Sequence, residues 1–516
     1  MSILKSFDIV YNKTNMKLVN GKQMAMVDKR MIEECKISSL QLMEQAGTKL
    51  YHKIKQMVLE EDHILVVCGT GNNGGDGYVV ARLLHNDGYQ VQILAIHTTH
   101  QSEDCKVNYQ KCLDLNIPFV DEITTPDIII DAIFGTGLSR NVEARYKTII
   151  KEINNSKAQV ISIDIPSGID SSLGHVYGVC VKANITLTLQ TGKIGLYLYP
   201  GRLYSGKVYV LDIGIAKQLI EDVDSQIYLI EKKQMGALLP KRSIHSNKGD
   251  YGKLFCIGGS KQMSGAISLA TLAALRSGCG LITCAIPKNI HEIVATNVLE
   301  STFLPLPQKD GHIASTAASI IANAVTNYNC ALIGCGITRS KDIIDILKVV
   351  LDSDIPLLID ADGLVALKAL LPNYKNRKQL ILTPHMKEFS RLIDVDVKDI
   401  VKDPIYYGTR FIERYPNITL VLKSETSFVF SKSSVYINTY GNNGLAKGGS
   451  GDVLAGIIAS LYAQNRNSLN ASVLGVFLHA YSADLLLEKQ TVYSILPSDL
   501  FHKIDQIIKE LEGGMK

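Results

Sequence analysis

The chain has ten cysteines but no C-x-x-C pair, and its twelve histidines show no ligand spacing. Both absences argue against a zinc ribbon or finger, and with no secretory context they argue against a disulfide framework. Cys68, Cys256, Cys284 and Cys330 lie in or beside apolar runs that read as strands, the place of reduced core thiols. No apolar stretch reads as long enough to cross a bilayer and no signal peptide with a cleavage site is visible, so the cytoplasm is the expected compartment, with no membrane partner. An excess of one charge is lacking too. The 54 basic and 50 acidic residues leave a formal charge of +4, too small a field to imply nucleic acid. No short repeat appears, which sets solenoids and propellers aside.

What is present is a globular balance, 46% apolar and 20% charged, over 516 residues. That length exceeds one ordinary core and predicts two domains or three. Residues 1 to 15, ahead of Met16, read as an extension. Strand candidates at 63–68, 90–96, 117–120, 127–134, 158–165, 184–190 and 207–213 alternate with helical patterns, predicting a mostly parallel, doubly wound α/β sheet. Leu40, Met43, Ala46, Leu50 and Ile54 mark the core face of a preceding helix. The basic, proline-containing segment "EKKQMGALLPKRSIH" marks a boundary, giving domains 1–230 and 231–516. A second α/β unit follows through "GKLFCIGGS", "LITCAIP", "CALIGCG", "IPLLIDADG", "KQLILTP" and "ITLVLK", then the hairpin "SFVFSKSSVYINTY" and helices after residue 446.

The loop "GTGNNGGDGYVVARLL" at 69–84 carries Gly69, Gly71 and Gly74 in dinucleotide-site spacing, between a strand and a helix. A redox Rossmann unit also needs a carboxylate at the end of its second strand. Here that strand ends in His97, Thr98 and Thr99, which points away from an ordinary redox cofactor. "DAIFGTGLSR" and "SIDIPSGID" end two further strands, so Asp131, Asp164 and Ser167 point to the same crevice as Asn72, Asn73 and Asp76. Each alone could be a cap or turn former.

In the second half, Lys447 to Gly451 of "NNGLAKGGSGDVLAGIIASLYAQ" form a small-residue loop before a helix, fit to receive a phosphoryl group, with Asp452 in the first turn as a base toward an attacking hydroxyl. The alternative is a helix end with Asp452 serving the dipole. Strand ends bearing Gly334 and Gly336, Asp360 and Asp362, His385 and Glu388, and Lys423 and Thr426 lie upstream.

With both loops in place, residues 17 to 510 resemble the bifunctional NAD(P)H-hydrate repair enzymes, an N-terminal epimerase fused to a ribokinase-like, ADP- or ATP-dependent dehydratase. "GNNGGDG", "DAIFGTGL" and "DIPSGID" are similar to the epimerase; "NKGDYGKLFCIGGS", "LTPHMKEF" and "GLAKGGSGDVLAG" are similar to the dehydratase. The resemblance implies hydrated NADH or NADPH against Asn72, Asn73, Gly74, Gly75, Asp76, Gly135, Thr136, Gly137, Leu138, Ser139, Arg140, Asn141 and Asp164. It implies a potassium ion on Asn73, Asp131 and Ser167. In the second half it places the hydrate near Ala266, Gly336, His385 and Asp452, and the adenine nucleotide near Lys423, Ser424, Glu425, Thr426, Ser427 and Gly451.

A magnesium ion would accompany ADP or ATP, and the fused, prokaryotic arrangement implies ADP first. Asp452 would be the dehydratase base; Asp164, with Lys193 as a second choice, would serve the epimerase. A homo-oligomer is expected. Many relatives read "DADALN" where this chain reads "DADGLV", which puts a role for Val365 in doubt. Two rivals stay open: a small-molecule kinase that shares the glycine-Asp loop, and a non-catalytic nucleotide-sensing first half.

Overall fold

The computed structural model describes residues 15–96 and 101–514, so the expected extension lies, but for Asn15, outside the described residues, as does the strand end at His97 to Thr99. The chain divides into two compact units between Ile227 and Tyr228.

The first unit is a parallel six-stranded sheet in the order β2-β1-β3-β4-β5-β6. Its strands are β1 (His63–Cys68), β2 (Gln90–Ala95), β3 (Ile128–Ala132), β4 (Gln159–Ile163), β5 (Ile185–Leu189) and β6 (Lys207–Leu211). Runs such as "HILVVC" and "IIIDA" are continuous and β-branched because helices cover both faces. Ile64, Val66 and Cys68 enter one core, and Leu65 and Val67 the core on the opposite face. Full burial of each such aliphatic side chain contributes about 1.5–3 kcal/mol.

Two N-terminal helices, Gly21–Cys35 and Ser39–Lys55, are fixed by capping boxes, Asn20 with Gln23 and Ser38 with Gln41. The second buries Leu42, Met43, Ala46, Leu50 and Ile54. Leu42 takes the core position expected of Leu40. Strand order reverses between β1 and β3, and open α/β sheets bind ligands at such a point.

The second unit has a ten-stranded sheet, β10-β9-β8-β13-β14-β15-β16-β17-β18-β7. Its strands are β7 (Ile227–Leu229), β8 (Lys253–Ile257), β9 (Leu281–Pro287), β10 (Thr302–Leu306), β13 (Cys330–Ile333), β14 (Leu357–Ile359), β15 (Leu380–Leu382), β16 (Ile418–Leu422), β17 (Ser427–Phe430) and β18 (Val435–Asn438). A separate small hairpin pairs β11 (Gln308–Lys309) with β12 (His312–Ile313). Pairing is parallel from β10 to β16 and antiparallel through β17 and β18. This order reverses between β8 and β13.

Helix Ser450–Asn465 packs so closely on Ser264–Arg276 that a Cβ at Gly456 would stand 2.1 Å from the Ala270 carbonyl oxygen. Helix Ser468–Leu486 corrects one expectation: by length and composition it could span a bilayer, yet 78% of its apolar window is buried inside this unit. The residues expected as a strand at 117–120 make one bridge, Ile93 to Phe119. Nine cysteines are buried and free; Cys35 is exposed.

Candidate functional site

At the β1/β3 switch, two backbones must touch. A Cβ at Gly69 would lie 2.0 Å from the Ile133 oxygen, and one at Gly74 would lie 2.1 Å from the Gly69 oxygen. The glycines therefore fold the loop onto itself and start helix Asn72–Asn86 beside a cleft of ≈ 680 Å³. Asn72, Asn73, Asp76, Gly135 to Arg140 and Asp164 line it, as the sequence suggested. Gly74, Gly75 and Asn141 are not among its lining residues. Gly75 packs instead against Met43, and Asn141 is exposed.

Asp164 ends β4 in the left-handed region, φ 65°, a conformation that costs a non-glycine residue energy and clusters at functional positions. Its Oδ1 is 2.6 Å from Lys193 Nζ, and the lysine side chain is 1% exposed. Lys193 also donates to the Leu189 carbonyl at 2.6 Å. Burial, reinforced by Asp164 and Asp28, pushes the Asp76 carboxyl well above its ordinary range. Asp28, also on the cleft wall, is pushed up to about 6, chiefly by burial.

Below the cleft, fully buried Asp131 accepts four hydrogen bonds: Ser162 Oγ at 2.7 Å, Ser167 N at 2.9 Å, Ser167 Oγ at 2.6 Å and Ile133 N at 3.3 Å. No ion pair among the described residues includes it. Burial raises its carboxyl, and the Ser167 bonds oppose that rise. Asn73 is buried nearby in the chain's glycine loop, with Nδ2 unpartnered.

In the second unit, four strand ends and one helix start converge. Lys423, after β16, pairs with Asp360, after β14, at 2.8 Å, and Thr383, after β15, donates to the same Asp360 oxygen at 2.7 Å. A Cβ at Gly451 would stand 3.3 Å from Lys423 Nζ and 4.0 Å from Asp360 Oδ2. Gly449 caps helix Ser450–Asn465 with φ 96°, a conformation natural to glycine. Asp452, in the first turn, has its carboxyl pushed up to about 6 by burial and then by Asp360, with Cys335 opposing. Burial, the largest single influence, depresses the Lys423 ammonium, but Asp360 and Glu388 together outweigh it and the net direction is upward. Ligand atoms of Cys335, Asp360 and Asp452 lie within 4.8 Å of one another.

Gly336 is close-packed against Ala266, a Cβ there lying 3.0 Å from the alanine methyl. His385 caps helix Met386–Ile393, its Nδ1 accepting from Lys387 N at 3.0 Å and Glu388 N at 3.3 Å. Burial lowers the His385 pKa, so the ring stays neutral with Nε2 as its donor. Ser424 donates to the Thr426 carbonyl and Ser427 Oγ to the Ser424 carbonyl at 3.4 Å, closing the turn before β17 that also holds Glu425. Lys447 is a staple: Nζ donates to the Tyr493 and Ile495 carbonyls at 2.7 and 2.6 Å. Asp362 pairs with Arg339 at 2.7 Å, and Val365 is 39% exposed.

Sequence reasoning missed Asp28, Cys335 and His479. Cys335 lay between two glycines that drew attention to themselves, and His479 sits in an apolar helix far along the chain. No motif marked Asp28.

Two α/β units, each with a glycine-loop helix at its switch point and carboxyls of raised pKa beside it, define a two-site enzyme for nucleotide-like substrates. The family described as NAD(P)H-hydrate dehydratase matches residues 254–506, and that described as YjeF-related protein N-terminus matches 39–195. The bifunctional NAD(P)H-hydrate repair enzyme of Moorella thermoacetica is 31% identical, over 96% of this chain and 97% of that one. Its Coxiella burnetii counterpart is 34% identical, over 92% and 95%. A ribokinase-like superfamily protein from Enterococcus faecalis V583 superposes with TM-score 0.50 and 26% identity, covering 55% of this chain and 96% of that one. The chain belongs to the family of bifunctional NAD(P)H-hydrate repair enzymes.

Proposed function

We propose that residues 1–230 interconvert the R and S epimers of hydrated NADH and NADPH, and that residues 231–516 dehydrate the S epimer at the expense of ADP or, second, ATP. The observation that carries the reading is Asp452, a half-buried carboxyl with its pKa pushed up to about 6, next to Gly451 and close to Asp360 of the Lys423–Asp360 pair. Asp452 takes the proton of the C6 hydroxyl as its oxygen attacks the terminal phosphoryl group. The nucleotide leaves one phosphoryl group shorter. Loss of phosphate from C6 and of a proton from the adjacent carbon then restores the dihydropyridine. Backbone N–H groups at Gly449 to Gly451 cradle the transferred phosphoryl, and Lys423 balances its charge.

A magnesium ion fits this site only as cargo of the nucleotide phosphates. Asp360 is already paired with Lys423, and Cys335 is a soft ligand, so the residues make no hard-oxygen cage. Bound there, magnesium would neutralise phosphate charge. A potassium ion fits the first unit: Asp131 is a buried carboxyl with hydroxyl and amide partners but no paired cation, next to the Ser167 hydroxyl, and the Asn73 side chain offers an amide oxygen as a further donor. Those three residues would hold it. Such an ion would supply a fixed positive charge to the site.

In the first site Asp164, held by Lys193, acts on the hydrated carbon, with the Asn72–Asp76 and Gly135–Arg140 loops around the substrate. Incubating the chain with each purified epimer and each nucleotide, and following dihydronicotinamide absorbance, tests the whole reading. Release of a stable phosphorylated product without recovered absorbance would sink it in favour of a kinase.

A further inference from the structure

We propose that Asp28 is a second catalytic carboxyl of the first site, the general acid that works with Asp164 in epimerisation. This rests on the epimerase reading given above.

Asp28 belongs to helix Gly21–Cys35, whose Met24, Asp28 and Ile32 recur at four-residue spacing and all line the cleft. One carboxyl thus stands in the middle of an apolar stripe facing the cleft. Its chain neighbours are spoken for: Lys29 pairs with Glu33 at 3.7 Å and Arg30 with Glu34 at 2.6 Å. Asp28 makes no hydrogen bond or ion pair among the described residues. A carboxyl that helps the fold by pairing, capping or solvation would show one of those partners or full exposure, and Asp28 shows neither.

The charged groups around it come from every wall. Asp164 follows β4, Lys193 follows β5, Asp76 lies on helix Asn72–Asn86, Asp104 on helix Glu103–Asp114, and Arg140 on the loop after β3. Lys193 is committed to Asp164 at 2.6 Å, so Asp164 has a cationic partner that Asp28 lacks. Asp28, half-buried without such a partner, keeps its proton to about 6. Two carboxyls in one cleft, one paired with a buried lysine and the other without a cation, are placed to serve as base and acid.

The chemistry balances with water as the only other reactant. Asp28 gives its proton to the C6 hydroxyl; the C6–O bond breaks and the ring nitrogen pair forms the C6=N double bond as water leaves. A water then adds to the other face of C6, its proton passes to Asp164, and the electron pair returns to nitrogen. Exchange with solvent restores both carboxyls, and the net change is inversion at C6.

The test measures interconversion of purified epimers by the full chain from pH 5 to 8, with the uncatalysed rate subtracted, for wild type, Asp28→Asn and Asp28→Glu. Wild type should lose rate as pH rises through about 6. Asp28→Asn should fall by about 10²- to 10⁴-fold and lose that limb, with dehydration of the S epimer unchanged. Asp28→Glu should recover part of the rate with a displaced limb, and it decides the matter should the asparagine variant not fold. Wild-type rates and limb in the variants, with wild type active, overturn the role of Asp28 and leave the epimerase reading intact. No interconversion by wild type removes both.

Discussion

The Ser450 hydroxyl lies 3.1 Å from His479 Nε2, joining the first residue of the phosphate-loop helix to a buried imidazole on helix Ser468–Leu486. Burial depresses His479 to about 4 from 6.5, so the native state holds it neutral. The unfolded chain binds this proton first on acidification. Stability present above pH 6.5 is therefore lost as pH falls toward 4, by up to about 3 kcal/mol. Thermal unfolding of wild type against His479→Gln across that range should show the variant's acid sensitivity reduced; equal slopes would assign the loss to other groups.

Asp452→Asn keeps the side-chain shape but cannot take the hydroxyl proton. Dehydration should fall about 10²- to 10⁴-fold with nucleotide affinity largely kept and epimerisation unchanged. In wild type the dehydration rate should rise with pH through about 6 as the base ionises. Single-turnover absorbance and nucleotide titration separate the two effects, and normal turnover by the variant would reduce Asp452 to a helix-end residue.

Lys423→Met removes the cationic partner of Asp360 and a positive charge near Asp452. The base should then hold its proton to higher pH, moving the dehydration profile to the alkaline side, while loss of a buried pair's partner costs about 3–5 kcal/mol of stability. A profile that keeps its midpoint while only the rate drops would show that Lys423 acts on nucleotide alone.

Asp131→Ala should abolish potassium-dependent epimerisation and spare dehydration of the S epimer. It also strands the Ser162 and Ser167 donors, at about 1–3 kcal/mol each, so Asp131→Asn is the gentler comparison. Epimerisation rates in a potassium titration check this: an undiminished response in both variants would mean the ion sits elsewhere.

A fragment starting at Gln226 keeps β7, which lies beside β18 at the edge of the ten-stranded sheet; one starting at Met235 bares that edge. The first should elute as one discrete species on sizing columns and dehydrate, and the second should aggregate. Equal behaviour would make β7 dispensable.

The sequence shows most of this fold because parallel strands covered on both faces are unbroken apolar runs, as in β1, β3 and β8. Where that rule weakens, reading fails. β7 has three residues, and β10 is a half-exposed edge strand containing Pro305, so neither carries the pattern. The glycine loops were legible because close backbone contact needs glycine, as at Gly69 and Gly74. Asp28 was not: its meaning comes from a helix whose position against the cleft no local pattern states. His385 and Lys447 show the converse, residues of a motif with clear structural employment as cap and staple.

The distribution of thiols supplies a ruler for the two units. Cys35 alone is open to an alkylating reagent in the native protein. Opening of the first unit would release Cys68, Cys105, Cys112 and Cys180, and opening of the second Cys256, Cys279, Cys284, Cys330 and Cys335. Mass spectra taken during labelling would therefore climb in steps of four and five adducts above the first, and the order of the steps would name the half that opens sooner.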